Sequence, residues 1–184
     1  MKETGSDELK ELKEKLDDTL KEINRLNERL RESEERYYDL YENAPDMYHT
    51  INKKGIIIEC NKTESEMLGY PKEELIGKSV FDIQTEESRK AGKKAMGKLF
   101  RSGEIKGLEL QFVKKSGDVM DVSINATVIY DKNGKAVGTR SVIRDITKKN
   151  RMMEIIKNSN FKLHAIFDAI TDGICLIDRN FTIQ

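Results

Sequence analysis

The chain has 184 residues, 37% hydrophobic and 36% charged, which gives room for about one domain of usual size plus extensions. Its 33 Lys and Arg balance 33 Asp and Glu, so no net field draws it to nucleic acid or anionic lipid. Two cysteines, no apolar run of spanning length and an N-terminus without an apolar core read as a soluble cytoplasmic chain, with neither a disulfide framework nor a membrane contact in this segment.

From Leu9 the apolar residues step by three and four. With Leu9 at heptad position a, Leu16, Ile23, Leu30 and Tyr37 also fall at a, and Leu12, Leu26 and Leu40 at d. Almost everything else there is Glu, Lys, Arg, Asp or Asn. A stripe this narrow has no globular core to face, so it pairs with another helix. Residues 1–40 are therefore expected to form a coiled-coil helix and a parallel homodimer through Leu9, Leu12, Leu16, Ile23, Leu26, Leu30 and Tyr37. Glu8 against Lys13 and Arg29 against Glu34 of a second copy favour that pairing, while Thr19 and Ser33 at d weaken the seam. A solvated single helix held by local ion pairs is the alternative.

Pro45 cannot continue the helix and sets a turn. Met47 to Asn52 then alternates as a strand, with Tyr48 and Thr50 expected inward and His49 outward. The turn Asn52–Gly55 leads into Ile56 to Cys60, which completes a hairpin. Asn61 suits a helix N-cap for a short helix ending at Leu68, with Gly69 as its stop. Another helical turn runs from Lys72 to Ile76 and closes at Gly77. A longer helix is expected over Ser88 to Phe100, with Ala91, Ala95, Met96, Leu99 and Phe100 toward the interior. Three strands follow: Leu108, Leu110 and Phe112 alternate with polar neighbours, then Met120 through Tyr130, then Ala136 to Asp145. Strict alternation buries one sheet face and wets the other. The expected fold is α+β, a five-stranded antiparallel sheet with short helices on one face, preceded by the long coiled-coil helix.

Residues Asn61 through Leu68, the block from Gly69-Tyr70 through Glu74-Leu75-Ile76-Gly77-Lys78, the Gly134–Gly138 turn and the closing Arg144-Asp145-Ile146-Thr147 together resemble the PAS domain. The resemblance covers about residues 37–147 in order. One departure is Thr63 and Glu64, where small apolar residues are common in that family. The resemblance implies a sensory or interaction module, usually within a histidine kinase or another multidomain signalling protein. It also implies a ligand pocket between sheet and helices, here lined by Tyr48, Thr50, Met67, Phe81, Ile83, Met96, Leu99, Leu110, Phe112, Ile124 and Ala126. Tyr48, Thr50 and Ser141 could fix a small polar ligand there. The alternative is that these residues simply form the core.

No cofactor is expected. Family members that carry haem through an axial histidine place it on the long helix, and Thr85 to Gly103 contains none. Light-sensing flavin relatives carry a reactive cysteine in a GRNCRFLQ-like run, where this chain has Gly69-Tyr70-Pro71. Cys60 reads as a packed thiol. The two histidines, His49 and His164, and the two cysteines, Cys60 and Cys175, are too separated for a metal site. No glycine loop would cradle a nucleotide, and no catalytic constellation appears.

Beyond Thr147, Met153, Ile156, Asn160, Leu163 and Phe167 step by four and three, so residues 148–166 read as a connector helix able to continue a dimer axis. An amphipathic helix packed on its own sheet is the alternative. Asp145 and Thr147 are expected to cap this helix and relay the signal from sheet to connector. Ile166 to Asp178 repeats the pattern of Leu40 to Asn52, so residues 167–184 read as the start of a truncated second module after the PAS-like residues 41–147. The expected function is detection of a small ligand or partner, relayed through dimeric helices to an output domain, a histidine kinase. The alternative is a purely structural dimerisation or protein-interaction module.

Overall fold

The computed structural model describes residues 4–169. Helix α1 (Thr4–Glu42) is a single rod whose heptad leucines from Leu12 to Leu40 are solvent-exposed, since no described part of the chain covers them. It stops where Pro45 removes a backbone donor and fixes its own φ.

The module itself begins with β1 (Met47–Asn52) and β2 (Ile57–Cys60), joined by a turn in which the Asn52 carboxamide accepts the Lys54 and Ile56 N–H groups. Helices α2 (Lys62–Leu68), α3 (Lys72–Leu75) and α4 (Glu86–Ser102) follow. Asn61 caps α2 and Thr85 caps α4, so α4 opens at Glu86, two residues before the expected start. Strands β3 (Glu104–Val113), β4 (Val119–Tyr130) and β5 (Ala136–Asp145) complete a five-stranded sheet, order β2-β1-β5-β4-β3, antiparallel throughout. Helix α5 (Thr147–Ala169) leaves from the end of β5.

The core lies between one sheet face and helices α2 to α4, built on Met47, Ile57, Leu68, Leu75, Ile83, Phe112, Met120 and Ile143. Gly138 lets the central strands close: a Cβ there would lie 2.3 Å from the Ile51 carbonyl oxygen of β1. Three expectations are corrected. Ala91 is exposed and Gly92 is the buried position of that turn, because α4 presents Ser88, Gly92 and Leu99 to the sheet. Tyr130 is exposed, because the β4–β5 register slips between Ile129 and Tyr130 and breaks the alternation. The connector does not lie on its own sheet either: every described side chain from 151 to 168 is exposed. The second copy of the internal repeat begins within α5 at Ile166, and from residue 170 it lies outside the described residues.

Candidate functional site

Beneath α4 the core leaves a cavity of about 60 Å³. Its floor is the inner sheet face: His49 and Ile51 of β1, Thr139 and Ser141 of β5, Ile124 and Ala126 of β4, and Ile105, Leu108 and Leu110 of β3. Its roof is Gly92, Ala95, Met96 and Leu99 of α4 with Val80, Phe81 and Gln84 of the segment before it.

Of the expected pocket residues, Phe81, Met96, Leu99, Leu110, Ile124, Ala126 and Ser141 meet in this cavity. Ile83 and Phe112 are fully buried core outside it. The reason is a bridge between Gln84 and Phe112, which brings the roof segment down onto β3 and closes the space there. Met67 packs half-buried against the core from α2. Tyr48 and Thr50 belong to the opposite face: the Tyr48 ring lies beside Tyr41, and the Thr50 hydroxyl donates to Glu59 at 3.4 Å. The expected parity of β1 is therefore inverted, and His49 is the inward residue.

His49 is 3% exposed, with Cys60 opposite it on β2 and Ser141 opposite it on β5. Its Nδ1 lies 2.8 Å from Oε1 of Glu64, a fully buried carboxylate on α2. The His49 contact gives one of the two buried Glu64 oxygens a partner. Among the described residues, four enclosed polar atoms have no hydrogen-bond partner: Tyr41 OH, Glu64 Oε2, Gln84 Oε1 and Thr139 Oγ1. Gln84 and Thr139 both line the cavity. Burial, with a lesser contribution from Glu64, pushes the Cys60 thiol up to about 12, and burial likewise raises the Tyr41 phenol. Among the described residues no group of three or more His, Cys, Asp and Glu could hold a metal ion.

Polar joints hold both helices to the module. At the entry, the Asn61 amide donates to the Tyr41 and Asp46 carbonyls at 3.1 and 3.0 Å, and its oxygen accepts the Tyr48 and Glu64 N–H groups. Glu42, the last residue of α1, accepts from the Lys62 N–H and pairs with Lys72. Asp46 forms a two-point ion pair with Arg144 near the end of β5.

At the exit, the Asp145 carboxylate accepts the Thr147 N–H at 2.8 Å, which satisfies one orphaned donor of the first turn. Thr147 does not cap. Its hydroxyl accepts the Asp121 N–H of β4 at 2.9 Å instead, because the neighbouring Ile146 N–H is already bonded to the Asp121 carbonyl and holds the two strands in register. The Asp121 carboxylate in turn accepts from Asn150 of α5 and from Gln111 of β3. The Gln111 backbone bonds Ser88 and Thr85 at the start of α4. A hydrogen-bonded line thus runs from the start of α4 to the connector.

Sequence reasoning missed His49, Ile51, Gln84, Gly92 and Thr139. The signal for the first two was present: His49 shares its parity with Met47 and Ile51. Gln84 sits in an irregular segment with no periodicity to read.

A family model of the PAS domain matches residues 45–148. Sporulation kinase E of Bacillus subtilis is 23% identical over 153 residues, covering 82% of this chain and 20% of the relative. The methyl sulfide methyltransferase-associated sensor of Methanosarcina acetivorans is 28% identical over 138 residues, covering 74% and 14%. The chain thus spans a fifth or less of the length of these relatives. Among solved structures, the PAS domain of an HTR-like protein from Haloarcula marismortui superposes with a TM-score of 0.59 at 24% identity, over 67% of this chain and 99% of that one. A PAS domain from Colwellia psychrerythraea gives 0.58 at 24% identity, over 62% and 97%.

Proposed function

The chain belongs to the PAS domain family, and from that premise we propose that it is a sensory module: it takes a small ligand into the cavity and passes the change to an output domain, a histidine kinase, through paired helices in the cytoplasm. One observation carries this reading. Strand β5 supplies Thr139 and Ser141 to the cavity wall and, a few residues on, Asp145 to the joint where α5 begins. An occupant that prefers one position of β5 therefore biases the pose of α5, and a few kcal/mol of preference is enough to move a two-state equilibrium.

Pairing through Leu12, Leu16, Ile23, Leu26, Leu30 and Tyr37 is part of the proposal; all six are exposed in the single chain. Leu9, at the head of the same seam, belongs to the proposed pairing as well. A kinase and a sensor among the relatives, each several times longer, support an output domain beyond this segment. The reading includes no haem or flavin: cavities that enclose such groups run to roughly 300–1,000 Å³, against about 60 Å³ here.

Native mass spectrometry of freshly purified protein, with extraction of what denaturation releases, tests the proposal. A small molecule held at near one per chain is the expected result. Protein that purifies empty and takes up no small molecule on titration favours the purely structural dimerisation module.

A further inference from the structure

The cavity's own atoms specify the class of molecule it would hold. Gln84 Oε1 and Thr139 Oγ1 are enclosed, line the same space and have no partner. A buried polar oxygen left without a hydrogen bond is costly, so an occupant that satisfies both is favoured over one that satisfies neither. A carboxamide oxygen only accepts, while a hydroxyl both donates and accepts. The occupant must therefore bring a donor to Gln84 and either role to Thr139.

Charge narrows the class. His49 is the only titratable residue of the lining, and its Nδ1 is engaged by Glu64. No Lys or Arg lines the space to neutralise an anion. No Asp or Glu lines the space to receive a cation. An isolated ion is strongly disfavoured in such a site.

Size narrows it further. A cavity of about 150 Å³ admits benzene, so the 60 Å³ here suits about two to four heavy atoms. Apart from His49 and Ser141, the remaining wall, including Met96, Leu99 and Ile124, is apolar and suits a carbon end. Gly92 preserves the arrangement, since a Cβ there would stand 2.8 Å from Gln84 Oε1 and push the amide away.

We propose that the cavity binds an uncharged molecule of a few heavy atoms that carries a hydrogen-bond donor beside a short carbon end, such as a small primary amide or alcohol. This rests on the reading of the cavity as the sensing site.

The test titrates acetamide, 1-propanol, acetate and xenon separately into the full ¹⁵N-labelled chain, followed by NMR. Acetamide or 1-propanol should shift the backbone signals of Gln84 and Thr139 and the Gln84 side-chain amide saturably, and acetate should bind at least about tenfold more weakly. Thr139→Val and Gln84→Leu should each weaken the amide or alcohol by about tenfold while leaving the xenon shifts in place, which shows that the variants still fold around the cavity. Acetate binding as tightly as acetamide would overturn the proposed class. So would a cavity that xenon enters and neither neutral polar probe does. If xenon also fails to enter, the sensing-cavity reading falls with it.

Discussion

Thr139 is wholly enclosed and its hydroxyl has no hydrogen-bond partner. Valine has nearly the same shape and no such group. Relieving one unpartnered buried hydroxyl is worth about 1 kcal/mol, so Thr139→Val should raise the ligand-free stability by that much in urea unfolding. A loss of similar size would mean the hydroxyl is satisfied in solution. Cys60 offers a second check. Burial raises its pKa above the ordinary thiol value of 9.0, so the folded state favours the protonated thiol. The stability this contributes is complete below pH 9 and is lost as pH rises from there toward about 12. Iodoacetamide at pH 8 should therefore label the Cys60 peptide slowly in folded protein and readily in urea, and Cys60→Ala should flatten the alkaline loss of stability. At this scale the sequence was only partly legible. Alternation alone allows either parity for β1, and assigning Tyr48 and Thr50 to the pocket turns His49 outward. The apolar residues Met47 and Ile51 set the parity, and burying them carries His49 inward with them.

Elements were far more legible than their joints. The leucine heptad, the Asn61 and Thr85 caps, and the glycines closing α2 and α4 are local signals, and each marks an element the structure contains. Pairing of α1 is tested by Leu16→Asp with Ile23→Asp, which should convert dimers to monomers by light scattering at micromolar concentration; an unchanged dimer would move the interface to the PAS module. The exit joint joins residues distant in sequence: Thr147 to Asp121, and Asp121 to Gln111. No periodicity reports such a contact, so neither the role of Asp121 nor the bond from Thr147 to it is readable from the sequence. Asp145→Ala with Thr147→Val removes one bond within the first turn and one to β4, costing about 1 kcal/mol each. That leaves a domain with a margin of roughly 5–15 kcal/mol folded. Amide exchange should quicken at Asp121 and over residues 147–152 while the β1, β4 and β5 amides stay protected. Melting of the whole sheet would make the joint a structural prop.

In the whole molecule, the cavity and the exit helix share one strand. Strand β5 lies between β1 and β4, carries the cavity's polar wall, and ends in the joint that starts α5. Helix α5 touches the sheet near its start, and its described side chains from 151 to 168 are exposed, so the proposed relay would act through that joint. Composition and motif order conveyed this plan in outline, because a sheet flanked by two heptad helices follows from periodicity alone. Part of the cavity's lining followed from the family resemblance, but its polar corner did not, because that depends on how Gln84 and Gly92 settle against β3 and β5. The most direct test of the relay is a distance between spin labels at Lys132→Cys and Lys157→Cys, in a Cys175→Ser background diluted with unlabelled protein. The distance distribution should shift in proportion to acetamide or 1-propanol occupancy of the cavity, and Asp145→Ala with Thr147→Val should abolish the shift. A cavity that fills to saturation while the 132–157 distribution stays fixed would contradict the relay through β5.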